Sequence, residues 1–582
     1  MRSSLIAVLS SIALTACPGS TNKTPPAPVV EPNPAAPAVE PEPVEPVVEA
    51  PPPAPDPPPP PPWEPLDLQP LASTGIIHAT LLDAPAEGAE PAKPGAQLFP
   101  ERYSEVPGVL SFRGDHTRSS AAYGTATITE KKLELVWTHE TRTSTPRAEG
   151  STRKNWGGGA GWTGQPALVQ WPADTRGAMN LLPELAADDD FVEVIQGSLD
   201  GHVYFLDLRT GLPSRQASFH NFRSQADDAT TIEVGHPIKG SVSIDPRGWP
   251  ILYVGQGIAE GSEFGFRAYS LIDGQRLLYL DGRDPKALRR WGAFDSSAVV
   301  NRISDTMFVG GENGLVYRVA LNSAFDPAAP SLTLAPVVER LRYTLEGADG
   351  RKKGVENSIT AWKNLAWFAD NGGGIVAVNT DSFEPVWAWF GEQADDTNAS
   401  IVVEVTDDQP ALFLGTEIEY QEGRSDKAWV HRFDGLTGEP LWSVGYDARP
   451  AKKGLNLSGG VYGTPVPGQH KVADKLFVSV VEVGNLGAGL LVALDKQTGQ
   501  ELWRNVLPSY AWSSPLVIYD ADGNGYLVLG DSAGDVVLYD AADGQELHRI
   551  SLGYLVEASP AFMNDMIVLA VRGKAVHGIA VR

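Results

Sequence analysis

Oxygen-bearing side chains in one short stretch of the sequence have the spacing of a metal-binding loop. In DADGNGYLVLGD, Asp520, Asp522, Asn524 and Asp531 match ligand positions of a Ca²⁺ loop. The residues on both sides alternate as β-strands do, and Asp-Gly-Asn-Gly is also a strong hairpin-turn signal. We therefore favour a plain turn here, with a Ca²⁺ site as the alternative.

A second set of polar residues recurs two positions before small residues that open apolar runs. The set comprises Lys239, Asp295, Glu356 and Asn398, with Asp395 and Asp396 beside the last of them. If the runs are equivalent strands, these side chains point to the same side of the fold. They could bind a hard cation through oxygen atoms, with Lys239 paired to a carboxylate. We favour the alternative that they cap strand ends or bind water, since buried polar groups need partners.

Two tryptophans lie in the glycine-rich stretch RKNWGGGAGWTGQP. Exposed, Trp156 and Trp162 could stack on a sugar or clamp a peptide. Packed, they would plug the fold near its N-terminal segment. We favour packing, because the chain contains 15 Trp and most such side chains are largely buried.

Several common catalytic motifs are absent from the sequence. There is no Cys-x-x-Cys-His for c-type haem, and the ten His are scattered without metal-ligand spacing. No Gly-x-Ser-x-Gly elbow sits between a strand and a helix, and there is no Gly-x-x-x-x-Gly-Lys-Ser/Thr loop. The sequence therefore gives no support for haem binding, structural zinc, hydrolysis or nucleotide binding.

A repeated β-rich unit must position all of these residues. The motif Asp-x-x-Thr-Gly-x-x-x-Trp is clear from Asp495 and from Asp434, and weaker from Asp207, Asn379 and Asp540. Two apolar runs precede each motif and a short strand follows it, which predicts four strands per unit. The Asp carboxylate can accept backbone N–H groups, Gly supplies positive φ, and Trp covers the seam between units. Such units must stack around an axis or along a line.

Eight strand starts can be aligned along the chain. They are Gln165-Pro166, Gly240-Ser241, Ser296-Ser297, Asn357-Ser358, Ala399-Ser400, Thr464-Pro465, Ser514-Pro515 and Ser559-Pro560. The last start leaves room for only three strands before Arg582, and LELVWTHE around Trp137 can supply the fourth. The sequence thus predicts an all-β fold: an eight-bladed β-propeller of four-stranded blades, closed by its N- and C-terminal strands.

The same alignment predicts an uneven channel mouth, because the inner strands of a propeller begin there. Four units place Lys239, Asp295, Glu356 and Asn398 at the mouth. The other four units place small residues there, namely Gly164, Gly463, Ser513 and Ala558. We therefore expect one polar half and one plain half.

The blade motif resembles that of bacterial pyrroloquinoline-quinone-like (PQQ-like) repeat β-propellers, over roughly residues 108–582. The stretches SFRGDHTRSS, WGGGAGWTGQP, KGSVSIDPRGWPILYVG, FVGGENG and DDTNASIVVE are similar to an exported, functionally uncharacterised subgroup. The resemblance implies the fold and no particular function. Quinoprotein alcohol dehydrogenases are similar in blade motif and bind PQQ with Ca²⁺, but they commonly carry an adjacent cysteine pair. This chain has one cysteine, so we expect no cofactor, with Ca²⁺ as an alternative and PQQ disfavoured.

The N-terminal sequence MRSSLIAVLSSIALTAC resembles a bacterial lipoprotein signal. Arg2 is followed by an apolar stretch and by small residues before Cys17. The resemblance implies that residues 1–16 are a signal peptide and that Cys17 carries diacylglycerol and an N-acyl chain such as palmitate. Pro18 and Gly19 follow, with no Asp, which favours the outer membrane.

A proline-rich linker and an irregular segment precede the propeller. Residues 17–65 culminate in PPPAPDPPPPPP. Extended at ~3.1 Å per residue, the proline-rich part from Thr24 to Pro65 could reach on the order of 130 Å. Recognition by a Pro-binding partner is the alternative to a spacer. We expect residues 66–107 to drape irregularly over the propeller of residues 108–582.

The formal charge of −26 disfavours binding to nucleic acid and to anionic lipid surfaces. The sequence favours a monomeric, lipid-anchored envelope propeller, in the periplasm or at the cell surface, that acts as a non-enzymatic scaffold for envelope proteins. In architecture and anchoring it resembles the lipoprotein subunit of the outer-membrane β-barrel assembly machinery. The alternatives are a quinone- or Ca²⁺-dependent oxidoreductase and a carbohydrate or small-ligand receptor at the channel mouth.

Overall fold

The computed structural model describes most of the chain after the proline-rich linker. The described residues are 63–70, 75–142, 159–160, 164–216, 231–258, 263–348, 353–418, 427–449, 458–483, 487–573 and 575–582. The predictions for Cys17, Trp156 and Trp162 fall outside these residues.

Eight antiparallel sheets follow one another along the described chain, which confirms the prediction of an eight-bladed β-propeller. The second and third strands of the blades are apolar runs that are buried along most or all of their length. Alternation of polar and apolar residues is missing there because a neighbouring blade covers each face of the sheet.

The strands of the first four blades are given from the axis outward. Blade 1 consists of Ala167–Val169, Glu193–Gly197, His202–Asp207 and Ile232–Glu233. Blade 2 consists of Ser243–Ile244, Ile251–Gly255, Gly265–Ser270 and Arg276–Asp281. Blade 3 consists of Val299–Asn301, Thr306–Gly310, Leu315–Ala320 and Val337–Leu345. Blade 4 consists of Thr360–Trp362, Leu365–Ala369, Ile375–Asn379 and Glu384–Trp389.

The remaining blades follow the same order. Blade 5 consists of Val402–Thr406, Gln409–Gly415, Lys427–Asp434 and Pro440–Asp447. Blade 6 consists of Val466–Pro467, Lys475–Val481, Gly489–Asp495 and Glu501–Leu507. Blade 7 consists of Leu516–Tyr519, Gly525–Gly530, Asp535–Asp540 and Glu546–Ser551. Blade 8 consists of Ala561–Met563, Met566–Val571, Ala575–Val581 and Leu133–Glu140.

Several short elements add to the blades. The helices are Ala173–Ala178, Pro183–Ala186 and the 3-10 turn His470–Val472, and a hairpin pairs Ala324–Asp326 with Ser331–Thr333. Gly108–Val109 and Ala122–Tyr123 extend blades 1 and 8 on the inner side. Within the segment predicted to be irregular, Ile76–Leu82 forms a fifth, outermost strand of blade 3, antiparallel to Val337–Leu345.

The ring closes as the sequence predicts. Leu133–Glu140 pairs antiparallel with Ala575–Val581. The indole N–H of Trp137, on this closing strand, donates a 2.8 Å hydrogen bond to the carbonyl of Leu208 in blade 1. Gly211 lies under the indole at φ 68°, and a Cβ there would come within 2.4 Å of the ring. Blade 8 is therefore fixed to blade 1 by a contact that only glycine permits.

The repeated Asp/Thr/Gly/Trp motif forms the same seam between later blades. Trp387, Trp442 and Trp503 each cover the turn glycine of the next blade, which is Gly438, Gly499 and Gly544 respectively. The carboxylate of Asp495 accepts the backbone N–H of Thr498 at 2.8 Å and thereby holds one such turn. The motif is thus an inter-blade contact as well as a turn.

A second set of contacts links the blades near the axis. The hydroxyl of one strand-start residue accepts the backbone N–H of the equivalent residue in the preceding blade, at 2.8 to 3.1 Å, across six blade boundaries. The donor and acceptor pairs are Gln165 and Ser241, Ser297 and Ser358, Ser358 and Ser400, Ser400 and Thr464, Thr464 and Ser514, and Ser514 and Ser559.

Residues 108–123, which we call the axial segment, lie across the axis inside this ring. Their backbone and side-chain groups form hydrogen bonds to the inner strands, or to the residues just before them, in blades 1, 2, 3, 4, 5, 7 and 8. Buried Arg118 donates to the carbonyls of Ile359 and Ser297 at 3.0 and 3.1 Å. Buried Arg113 donates to the carbonyl of Pro515 at 2.7 Å. The stretch SFRGDHTRSS is therefore a plug that ties opposite sides of the ring together.

Removing the closing tryptophan is the direct test of ring closure. We expect Trp137→Ala to lower the free energy of unfolding by about 3 kcal/mol or more, because it removes a buried indole and leaves a cavity. Val136→Ala, at a 45% exposed position of the same strand, is the matched control and should change stability by less than ~0.5 kcal/mol. Urea unfolding followed by circular dichroism measures both, and equal effects of the two substitutions would contradict the closure contact.

Candidate functional site

The ring of hydroxyl contacts gives the structural alignment of the strand starts. Thr464, Ser514 and Ser559 are equivalent to the second serine of starts such as Ser296-Ser297, so the proline-type starts shift by one residue. The residues two positions before the hydroxyls are Lys239, Asp295, Glu356, Asn398, Tyr462, Trp512 and Glu557. The expected plain half, with Gly463, Ser513 and Ala558, is thereby corrected: aromatic and acidic residues occupy it.

One half of the channel mouth is a buried cluster of charges. Lys239 forms an ion pair with Asp295. One carboxylate oxygen each of Asp295, Glu312 and Glu356 lies within 4.8 Å of the others. Glu312 is 3% exposed, and its Oε1 and the Oδ1 of Asp295 are buried without a hydrogen-bond partner among the described residues. We call this group the acidic cluster.

Burial and mutual interaction shift the pKa values of residues in the acidic cluster. Burial raises the pKa of Glu312 well above its ordinary value, and the neighbouring carboxylates of Glu356 and Asp295 add to the effect. Burial likewise raises the pKa of Asp295 to about 6, although Lys239 opposes this. Burial disfavours the charged form of Lys239, but Asp295, Glu312 and Glu356 outweigh it, so its pKa is raised. The cluster therefore holds one ammonium among three carboxyls, and it retains a proton at moderately acidic pH.

A polar network continues from the acidic cluster into blade 5. The Asn371 amide donates to Glu356 at 3.0 Å and to Asp396 at 3.1 Å. The amide of Asn398 donates to Glu417. Asp395 accepts the backbone N–H of Asp396 at 2.8 Å. The structure thus brings all six sequence-predicted polar residues of the mouth into one connected region.

The other half of the mouth is aromatic and acidic. The rings of Tyr462 and Trp512 stack with centroids 5.0 Å apart and planes inclined by 23°. Tyr510 lies 5.5 Å from Trp512 on the same side of the mouth. Glu557 lies 3.6 Å from Arg572, and Glu482 accepts the backbone N–H of Gly487 at 2.9 Å. We call this group the aromatic half.

Charges in the aromatic half are also buried. Burial raises the pKa of Glu557 to about 7, with Arg572 opposing the shift. Burial, together with the negative charges of Glu557 and Glu482, raises the pKa of Tyr510 to about 12. These two carboxylates therefore act on the same aromatic hydroxyl.

Sequence reasoning missed the residues contributed by the loops between second and third strands. These are Glu312, Asn371, Glu417, Glu482 and Arg572. Each directly or closely follows the glycine or apolar end of a second strand, as in FVGGENG and FLGTE. Because the second strand runs antiparallel to the first, its end lies at the same edge as the first strand's start. That periodic position could have shown them.

The residues of the predicted Ca²⁺ loop lie at two opposite edges of blade 7. Asp520 accepts the backbone N–H groups of Asp522 and Asn524 at 3.0 and 2.9 Å, and Gly523 has φ 77°. Asp531 lies at the far end of Gly525–Gly530, roughly 20 Å away along six strand residues. Asp520 and Asp531 therefore do not share a binding site, and the Asp520 stretch is a turn.

The described residues form a closed eight-bladed propeller with a plugged axis and a charged mouth. The family model described as outer membrane protein assembly factor BamB matches residues 426–521 and 487–581, which lie in blades 5 to 8. Together with the fold, these matches support a PQQ-like repeat β-propeller. No curated protein sequence matches the chain.

Solved structures give the same architecture at low identity. The quinohemoprotein alcohol dehydrogenase from Comamonas testosteroni is 13% identical with a TM-score of 0.51, over 83% of this chain and 81% of that chain. BamB from Moraxella catarrhalis is 14% identical with a TM-score of 0.31, over 56% of this chain and 93% of that chain. The first likeness supports the fold alone, and the second carries no structural argument. No helix among the described residues is long and apolar enough to cross a membrane.

The pKa of Glu557 predicts a pH-dependent contribution to stability. Its pKa is raised from 4.5 to about 7 in the folded protein, so protonated Glu557 stabilises the fold below pH 4.5, and this contribution disappears as pH rises through 7. We expect Glu557→Gln to be more stable than the wild type at pH 8 by on the order of 1 to 3 kcal/mol, and nearly equal to it at pH 4.5.

Urea unfolding at the two pH values measures this difference. Glu439→Gln, at an exposed carboxyl, is the control and should show the same stability difference from the wild type at both values. A Glu557→Gln difference that is independent of pH would contradict the buried, proton-binding role of Glu557.

Proposed function

We propose that this protein is a lipid-anchored, non-enzymatic scaffold that presents a rigid propeller to protein partners in the bacterial cell envelope. Cys17 would carry the lipid, the proline-rich residues 17–65 would act as the tether, and the outer membrane is the favoured location. The match to a family model described as outer membrane protein assembly factor BamB supports an envelope role.

The observation that carries the proposal is the axial segment. Its contacts to seven blades place the chain's own backbone where a substrate channel through the ring would run. The mouth residues also bind one another, as Lys239 binds Asp295 and Asn371 binds Glu356 and Asp396. Both features favour rigidity of the ring, which a scaffold needs.

The outer rim offers a surface for partners. Leu441 in blade 5 and Leu502 and Val506 in blade 6 are 49%, 42% and 73% exposed on neighbouring outer strands. Exposed apolar residues on adjacent elements are typical of protein contact sites. The outer strand of blade 3 already pairs with Ile76–Leu82, which shows that an outer edge of this propeller accepts a further strand.

Site-specific crosslinking in the native envelope tests the scaffold. Photoreactive residues at Leu441 and Leu502 should capture the same partner, and Val506→Glu should reduce capture at least about fivefold because it places a charge in an apolar contact. A photoreactive residue at Ile303, which is 63% exposed in blade 3, is the control and should not capture that partner. Cys17→Ser should release the protein from the membrane fraction. Equal capture from all three positions would contradict the rim surface.

A second candidate function is cation binding at the acidic cluster. It is favoured by the converging carboxylates of Asp295, Glu312 and Glu356, and by one buried oxygen each of Asp295 and Glu312 that has no hydrogen-bond partner among the described residues. Oxygen ligands of this type suit Ca²⁺. The ammonium of Lys239 already neutralises part of the cluster, so a cation must compete with it.

Thermal unfolding separates the two functions. Cation binding predicts a Ca²⁺-dependent rise in Tm, several degrees at saturating Ca²⁺, that is lost in Glu312→Gln and unchanged in the control Glu439→Gln. The scaffold predicts no shift with Ca²⁺, and none with Ca²⁺ and PQQ together. A shift that requires PQQ would favour the quinone-dependent oxidoreductase, and a shift with sugars alone would favour the receptor.

A further inference from the structure

The aromatic half contains three neighbouring aromatic rings, which we call the platform, and buried carboxyl groups. Tyr462 and Trp512 are stacked and half-buried, and Tyr510 extends the platform. The faces of such rings attract cations, most strongly where water is excluded. The platform is therefore suited to a positively charged group.

Two deeply buried carboxylates lie on the same side of the mouth and have oxygen atoms without a hydrogen-bond partner in the described part of the chain. Glu482 is 2% exposed and Glu557 is 5% exposed. The Oε2 atoms of both residues are buried and accept no hydrogen bond from the residues that the structure describes, although Arg572 approaches Glu557 to 3.6 Å. Glu557 holds the same ring position as Tyr462 and Trp512, and Glu482 directly follows the second strand of blade 6, which ends at the same edge. Buried acceptors of this kind are costly unless a donor reaches them.

The opposite half of the mouth shows how this ring satisfies such carboxyls. There, at an equivalent position in the ring, Lys239 supplies an ammonium from the chain itself to Asp295. In the aromatic half the equivalent positions hold Tyr462, Trp512 and Glu557. Both halves thus hold a cation of the chain, Lys239 at Asp295 and Arg572 at 3.6 Å from Glu557, and in the aromatic half the ring faces and Glu482 offer a setting for a second one.

We propose that Tyr462, Tyr510, Trp512, Glu482 and Glu557 form a binding site for a cationic side chain, lysine or arginine, of a partner protein. The ring faces contact the aliphatic stem and the charge, and the two carboxylates accept its N–H groups. The net charge of −26 attracts a basic segment to the propeller and disfavours an anionic ligand. This inference rests on the proposed scaffold function in taking the ligand to be a protein, and it names the chemistry of that partner.

Binding of short peptides to the full-length protein tests the site. Isothermal titration with tetra-arginine, tetra-lysine and uncharged tetra-citrulline amides should show binding of the first two and at least about tenfold weaker binding of tetra-citrulline. Trp512→Ala and Glu557→Gln should each weaken binding about tenfold, whereas Trp512→Phe, which keeps a ring face, should stay within about threefold of the wild type. Glu439→Gln removes an exposed carboxylate elsewhere and should leave affinity unchanged, which controls for the general negative field.

Each outcome decides the proposal. Equal binding of tetra-citrulline, or affinities unaffected by both Trp512→Ala and Glu557→Gln, overturns the site. Binding of spermidine as tight as that of the peptides assigns the site to a free polyamine and overturns the protein partner. Failure of peptide binding with intact rim crosslinking removes this inference and leaves the scaffold, whereas peptide binding without any crosslinked partner does the reverse.

Discussion

The pairing of Leu133–Glu140 with Ala575–Val581 is the constraint on which the rest of the structure depends. Without it, blade 8 would have three strands and an open edge, and the stack of blades would have no reason to close. Closure makes the eight strand starts face one axis, so that residues far apart in sequence meet at one mouth. The docking of Trp137 over Gly211 fixes the angle between the last and the first blade.

The axial segment places further demands on this ring. Burial lowers the pKa of Arg113 and of Arg118 to about 10, which still leaves both guanidinium groups charged at neutral pH. A buried charge is stable only where acceptors reach it, and Arg118 finds the hydroxyl of Ser111 as well as carbonyls of two blades. At the two blade boundaries that lack the hydroxyl-to-amide contact, the axial segment takes its place, since Phe112 donates to Ser297 and Arg113 donates to Gln165. The plug is therefore part of the inner ring.

The channel mouth shows how one structural position can carry different chemistry around a ring. Lys239, Asp295 and Glu356 form a dense group of charges on one side, in which the ammonium of Lys239 neutralises part of the negative charge. Tyr462, Trp512 and Glu557 form the aromatic side. There, one carboxylate oxygen each of Glu482 and Glu557 accepts no hydrogen bond from the described residues. Because the blades are alike in backbone, the difference is a property of side chains alone. A scaffold with such a mouth combines a rigid ring with a surface whose side chains can recognise a partner.

The architecture could be predicted from the sequence, because each blade repeats the same local signals. The Asp/Thr/Gly turn, the apolar double run and the small-residue strand start predict the strands, and the missing fourth strand near Arg582 predicts closure by Trp137. The sequence also located Lys239, Asp295, Glu356 and Asn398 at one edge, since equivalent positions of equivalent strands must coincide.

The residues at the mouth and the role of the axial segment could not be predicted from the sequence, because they depend on contacts between blades. The strand starts carry either Ser or Pro, and nothing local shows that Ser514 rather than Pro515 is equivalent to Ser297; the hydroxyl-to-amide contact between blades decides it. Glu312 joins Asp295 because the second strand of blade 3 runs antiparallel to the first and returns the chain to the same edge. From the sequence, the charged residues Arg113 and Arg118 would be expected at the surface. They are buried because the closed ring supplies hydrogen-bond acceptors from other blades.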